Sequence, residues 1–261
     1  MNELQAIILG IIQGLTEFLP ISSTGHLYLA RHLFGLDEAG LFLDTMLHIG
    51  TLFAVLAVYG DDVLKLVQKP FSRLTGLLVI GTVPAVAVGL LLEDFFEEIS
   101  RTGVTVGYEF LLTGAVLWMA DRWKNRGGKS LEAMSYGDAL FIGCFQAAAI
   151  MPALSRSGLT IAASLFRRIN REEAARFSFL LSLPAIGGGV ILQGAKLFTG
   201  EHREMIGLFP LLLGSFFSAI FGYFAVRWMI GILKRKSLKG FAVYVWILGI
   251  FILAAQALGI F

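Results

Sequence analysis

Two short polar stretches interrupt an otherwise apolar chain and carry side chains able to do chemistry. The first, LTEFLPISSTGHL at residues 15–27, holds Glu17, Ser22, Ser23, Thr24 and His26. Gln13 precedes Glu17 by four residues, which places both on one face of a helix. The second, PALSRSGLT at residues 152–160, holds Ser155, Arg156, Ser157 and Thr160 where a new helix should start. A helix N-terminus with free N–H groups, a guanidinium fork and several hydroxyls are the parts of a phosphate site. An acid with a Ser/His pair adds a nucleophile, a general acid or base, and a metal ligand, which phosphoryl transfer uses. A plainer arrangement is equally open. An arginine in an apolar segment needs a counter-charge, and Glu17 would serve Arg156 in a structural ion pair. Serine-rich turns also cap helices, so the hydroxyls alone do not separate the two readings.

The elements that position these residues must lie in lipid. Of 261 residues, 56% are hydrophobic and 15% charged, and the mean hydropathy is +0.76, a membrane protein's composition. A net charge of +2, with basic residues gathered in loops, offers no face to nucleic acid. The single Cys144 excludes an intrachain disulfide. Met1-Asn2-Glu3 lacks the basic start of a cleavable signal, so the first apolar segment is expected to stay in the mature protein.

Apolar runs near 40–60, 73–92, 104–120, 173–195, 207–226 and 241–260 approach the roughly 20 residues that a crossing needs, and six crossings are expected. Two further runs, near 4–19 and 138–151, are shorter and end in a proline and a Ser-rich turn. They read as re-entrant hairpins, because irregular backbone at membrane depth must be packed in protein or line a wet cavity. Loop charges orient the chain. The 61–73 loop (Lys65, Lys69, Arg73), the 121–135 loop (Arg122, Lys124, Arg126, Lys129) and the 227–240 loop (Arg227, Lys234, Arg235, Lys236, Lys239) are expected inside. The 93–103 loop (Glu93, Asp94, Glu97, Glu98) and the 199–206 loop are expected outside, with the first hairpin opening outward and the second inward beside Arg167, Arg168 and Arg171.

The sequence matches itself at an offset of 133 residues, which pairs Gly10 with Gly143, Gln13 with Gln146, Ser22 with Ser155, Gly25 with Gly158, Ala30 with Ala163, Gly81 with Gly214 and Gly89 with Gly222. The chain is therefore read as a single all-α integral membrane domain, 1–261, built from two repeats, 1–128 and 134–261. Each repeat holds one re-entrant hairpin and three crossings. An odd number of crossings inverts the second copy, and sites in such inverted repeats lie near the midplane, where the broken elements meet.

Residues 13–27 and 152–160 resemble the two signature motifs of the undecaprenyl-diphosphate phosphatases of the BacA (UppP) type: an [E/Q]-x-x-x-E helix leading into Ser-Ser-Thr-Gly-His, and P-G-x-S-R-S-G-x-T. The resemblance covers essentially the whole chain. It implies hydrolysis of undecaprenyl diphosphate to undecaprenyl phosphate and inorganic phosphate, which recycles the lipid carrier of cell-wall synthesis. It also implies stimulation by Mg²⁺ or Ca²⁺, a bacterial plasma membrane, and a site opening to the periplasmic side. Carried over by position, Arg156 clamps the diphosphate and Ser155 and Thr160 hydrogen-bond its oxygens, with Ser22, Ser157 and Gln13 completing the substrate-binding set. Glu17 is metal ligand or base. Ser23 attacks phosphorus with His26 or Glu17 taking its proton, or His26 attacks directly. Two positions depart from the pattern: Gln13 stands where many members have glutamate, and Ala153 where the second motif usually has glycine.

Other polar residues receive structural roles. Asp44 and His48, four apart, suit a metal but are read as a hydrogen-bonded pair supporting the hairpin. His32 and His202 are placed in solvated loops, and Glu109, inside a span, has no role. Gly214, Ser215, Ser218 and Gly222 mark close helix packing through small residues. Inverted repeats with midplane hairpins also build transporters, so a polyprenyl-phosphate transporter or flippase is the alternative on the same fold. The sequence does not fix whether the chain forms a homodimer.

Overall fold

A computed structural model describes residues 1–36, 40–123, 128–199, 206–235 and 237–259. Lys124, Arg126, His202, Lys236 and most of the 199–206 loop lie outside the described residues. Within them the chain runs as twelve α-helices: α1 (Glu3–Phe18), α2 (Ser23–Leu33), α3 (Gly40–Val58), α4 (Gly60–Gln68), α5 (Arg73–Leu91), α6 (Glu93–Thr102), α7 (Val106–Asp121), α8 (Tyr136–Ala148), α9 (Arg156–Phe166), α10 (Arg171–Thr199), α11 (Leu208–Arg235) and α12 (Lys239–Ala257).

The two broken segments stand where proline and serine put them. A capping box of Asn2 and Gln5 starts α1, satisfying N–H groups that no carbonyl inside the helix can reach. The helix stops at Leu19, which is extended (ψ 145°) as the residue before a proline must be. Ser22 then caps α2. A second capping box, Ser135 with Asp138, starts α8, and Ser155 caps α9 after the break at Pro152.

Among the described residues, four helices are long and apolar enough to cross a bilayer: Arg73–Leu91, Arg171–Gly194, Leu208–Lys234 and Lys239–Ala257. Phe42–Val58 with Gly60–Gln68, bent by 85°, makes five if the pair is one span. The expected crossing at 104–120 appears as α7, whose 16 residues reach only about 24 Å. Two expected loops are partly helical, as α4 and α6. Exposed apolar stripes, such as Val79, Val83, Val86 and Leu90 on α5 and Ile247, Ile250 and Phe251 on α12, would be costly in water but are the solvated face in lipid.

Packing follows the 133-residue offset. α1 lies against α11 and α8 against α5. A Cβ on Gly10 would collide with the Gly214 carbonyl, and one on Gly143 would come within 2.5 Å of the Gly81 carbonyl. Each contact is the other with its two partners displaced by the offset. The small-residue row of α11 packs as its spacing predicts. Ser215 donates to the Met46 carbonyl at 2.6 Å, Ser218 donates to Leu47 at 2.8 Å, and Gly222 admits Ala54 and Phe18. α1, α3 and α11 pack on one another, α10 lies against α3 and α11, and α9 lies against α7 and α10.

Candidate active site

Glu17 gathers the two polar stretches. It is 6% exposed, and a buried carboxylate is tolerable only when paired and hydrogen-bonded. Its Oε1 accepts from Arg156 Nη2 at 2.6 Å. Its Oε2 accepts from Ser23 Oγ at 2.5 Å and Gln13 Nε2 at 3.0 Å, with His48 Nε2 at 3.3 Å. The ion pair anticipated between Arg156 and Glu17 is thus formed, but it uses only half of the guanidinium. Arg156 Nη1 is buried with no hydrogen-bond partner, an expensive condition for a charged donor.

These groups line a cavity of about 270 Å³, with Ser22, Ser23, Thr24, His48 and Ser155 around Glu17 and Arg156, and Ile186 and Gly189 of α10 forming an apolar wall. Ser23 begins α2 and Arg156 begins α9, so two helix N-termini, each carrying a partial positive charge, meet at this cavity. Ser22 has φ 68° and ψ 103°, a backbone conformation that non-glycine residues seldom adopt and that costs about 1–3 kcal/mol. The turn holding it is pinned, because His26 Nδ1 donates to the Ser22 carbonyl at 2.6 Å and Ser22 Oγ accepts from Gly25 N–H.

The other residues singled out by sequence take supporting places. Ser155 accepts from Gly158 N–H at 3.1 Å as the α9 cap. Ser157 donates to the Leu19 carbonyl at 3.0 Å and ties the second break to the first. Thr160 donates to the Arg156 carbonyl at 2.8 Å and shares a 2.6 Å bond with Ser178 of α10, away from the cavity. Gln13 stands behind Glu17. His26 turns toward α12: its ring stacks on Tyr244 at 5.8 Å, its Nε2 lies 2.8 Å from the Tyr244 hydroxyl, and Phe110 meets it edge-on.

Three contributors have other roles, or none, on sequence alone. His48 and Asp44 do not pair side chain to side chain. His48 Nδ1 donates to the Asp44 backbone carbonyl at 2.6 Å, which aims Nε2 at Glu17, while Asp44 Oδ2 pairs with Arg31 at 3.1 Å. Glu109, 4% exposed, accepts from the Ala153 N–H with Oε2 and from Thr105 with Oε1 at 2.5 Å. One turn on, Thr113 accepts from Ser155 N–H at 3.3 Å. Glu109 and Thr113 therefore brace the turn that delivers Arg156. Their i,i+4 spacing was the available signal, but nothing in the sequence says which backbone they meet.

The family model described as "Bacitracin resistance protein BacA" matches residues 6–251. The chain belongs to the BacA family. Among BacA relatives, "Undecaprenyl-diphosphatase 4" of Bacillus thuringiensis (strain Al Hakam) is 61% identical over 261 residues, the full length of both chains. "Undecaprenyl-diphosphatase" of Carboxydothermus hydrogenoformans is 48% identical over the full length of both. That of Halothermothrix orenii is 43% identical over 97% of this chain and 98% of its own.

The divalent cation implied by the BacA resemblance would have to draw its ligands from oxygens in or next to the cavity. Among the described residues no group of three or more His, Cys, Asp or Glu side chains is placed to hold an ion. Oxygen acceptors without a donor are nevertheless present: Asp44 Oδ1, in a residue lining the cavity, and Gln13 Oε1 behind Glu17. Hard cations take such oxygens, and Mg²⁺ is commonly held by one or two carboxylates with the rest of its shell from substrate phosphates and water.

Proposed function

We propose that this protein hydrolyses undecaprenyl diphosphate to undecaprenyl phosphate and inorganic phosphate. The relatives' activity supports the reaction, and the observation that carries it to this site is the unpartnered Nη1 of Arg156 beside a serine bonded to a carboxylate. The terminal phosphate sits between the two helix N-termini and takes Nη1 and the free N–H groups of α2 and α9. Glu17 takes the proton of Ser23 Oγ as that oxygen attacks phosphorus. The Ser23 O–P bond forms, the P–O–P bond breaks, and the lipid monophosphate leaves. Water then cleaves the phosphoserine, inorganic phosphate departs, and Ser23 recovers its proton.

Glu17 fits the base role better than His26, because Glu17 accepts directly from Ser23 Oγ whereas the His26 ring nitrogens meet the Ser22 carbonyl and the Tyr244 hydroxyl. Ser155 shapes the site as a cap, and Ser157, Thr160 and Gln13 hold the residues that touch substrate. A divalent cation, Mg²⁺ or Ca²⁺, when bound would neutralise charge on the diphosphate and the leaving lipid phosphate.

The surrounding architecture is proposed as an inverted repeat, 1–128 and 134–261, with α1–α2 and α8–α9 as re-entrant hairpins and α7 as the sixth, short crossing. The exchanged glycine contacts Gly10–Gly214 and Gly143–Gly81 support this reading. The loop charges support a plasma-membrane orientation with the site reached from the periplasmic side. A flippase would need the cations and hydroxyls but no serine–carboxylate pair, so the Ser23–Glu17 bond favours the enzyme.

Detergent-purified protein is expected to release phosphate from undecaprenyl diphosphate. Ser23→Ala is expected to lose at least about 10²-fold in turnover, since proton-transfer help alone is worth 10²–10⁴. No phosphate release from the wild type, or Ser23→Ala at more than about a tenth of it, defeats the mechanism.

A further inference from the structure

Both oxygens of Glu17 are met by donors: Arg156 on one, and Ser23, Gln13 and His48 on the other. A cation approaching Glu17 would have to displace a guanidinium and the nucleophile's own hydrogen bond. Asp44 differs. Its side chain is 8% exposed and pairs with Arg31 through Oδ2 alone, while Oδ1 is buried without a donor. Asp44 also lines the cavity that holds Ser23 and Arg156. A buried carboxylate oxygen without a hydrogen bond is costly, and among the described residues no donor satisfies it.

We infer that Asp44 is the carboxylate that binds the catalytic divalent cation, with Oδ1 as its protein ligand and the diphosphate oxygens and water filling the remaining positions. This deepens the diphosphatase reading and rests on it for the substrate ligands. The assignment gives the two cavity acids separate tasks: Glu17, which already accepts from Ser23 Oγ, takes its proton, and Asp44, whose Oδ1 has no donor, takes the metal. Arg31, on the other oxygen, keeps the carboxylate aimed while tempering its affinity.

Mn²⁺ binding, read by loss of the free-ion electron paramagnetic resonance signal, tests this on the full-length protein in detergent with methylene diphosphonate as a non-hydrolysable diphosphate. Asp44→Asn keeps a carbonyl for Arg31, so the fold should persist. It is expected to weaken Mn²⁺ binding by about ten-fold or more, the scale seen when a metal's ligand sphere is damaged. Arg31→Gln removes a nearby positive charge and is expected to tighten binding, by about two-fold or more. Opposite signs from the two variants would not arise from general loosening. Asp44→Asn within two-fold of wild type, or Glu17→Gln abolishing binding while Asp44→Asn retains it, overturns the assignment. Asp44-dependent Mn²⁺ binding in a protein that releases no phosphate would leave the metal site standing and remove the diphosphatase reading instead.

Discussion

At the scale of single residues, the site depends on how a planar cation and an imidazole are aimed. Arg156 divides its fork, with Nη2 on Glu17 and Nη1 without a hydrogen-bond partner among the described residues, the position proposed to meet substrate. Lysine carries the charge and three donors on one nitrogen, but not the planar, rigid fork that reaches both positions. Arg156→Lys is therefore expected to lose about 10²-fold or more in kcat/KM, about 3 kcal/mol of transition-state binding, in a phosphate-release assay; near-normal turnover would mean that diffuse positive charge suffices. His48 acts through Glu17 and is a positioning residue. A glutamine at 48 can present an amide N–H close to where Nε2 lies, whereas leucine cannot. His48→Gln should keep kcat within about ten-fold, while His48→Leu should lose at least about 10²-fold in kcat with little change in KM, as expected when a base is misaligned and binding is not. Equal loss in both variants would show that the ring does something an amide cannot. The motif residues Glu17, Ser23 and Arg156 were legible in sequence because their chemistry is improbable in an apolar run. Asp44 and His48 do share a hydrogen bond and support the first hairpin, but through the Asp44 backbone carbonyl, and their side-chain partners, like that of Glu109, lie on other helices or are backbone atoms that no local pattern encodes.

Among the elements, the two helix breaks were readable from Pro20 and Pro152 with their serines, since a proline bars the preceding residue from helical geometry and a hydroxyl caps the next helix. α4 and α6 were missed as helices because their charge and shortness resemble loops. α10 holds a feature whose use emerges only in three dimensions. Gly187, Gly188 and Gly189 lie within the helix, and a Cβ at any of them would meet nothing within 4 Å. Close packing therefore does not require these glycines, unlike Gly10 and Gly143. Gly189 lines the cavity, which makes this stretch the natural course for a prenyl chain leaving the site. Gly189→Ala is expected to stabilise the helix by about 1 kcal/mol, read as a raised melting temperature in detergent. Gly189→Phe should fold but raise KM for undecaprenyl diphosphate by about ten-fold, as expected for about 1.4 kcal/mol of lost binding, leaving a short water-soluble diphosphate little affected. An equal rise for both substrates would place the tail elsewhere.

For the whole molecule, sequence and structure bear on topology from different sides. The loop charges alternate in sign along the chain, while the exchange of α1–α11 for α8–α5 contacts relates the halves without reference to a membrane. Both are what the proposed arrangement would produce: two copies of a unit with three crossings, the second upside down, and both breaks reaching the centre from opposite faces. Such an arrangement explains why one cavity draws Glu17 and Ser23 from one half and Arg156 from the other, and why neither half would form the site alone. It requires α7, 16 residues long, to cross with its partner α12, against which it packs through Trp118 and Trp246. A short crossing is accommodated by local thinning of the bilayer at modest cost. The arrangement fixes the sides on which particular residues lie. After exposed Cys144 is replaced, single cysteines at Glu98 on acidic α6 and at Lys129 beside α8 should react oppositely with a membrane-impermeant thiol reagent in intact cells, the former labelled and the latter protected until the membrane is opened. Placement of both on one side would leave α7 outside the bilayer and give the first half an even number of crossings, so that the second half would start from the same side and the two breaks would enter from the same face.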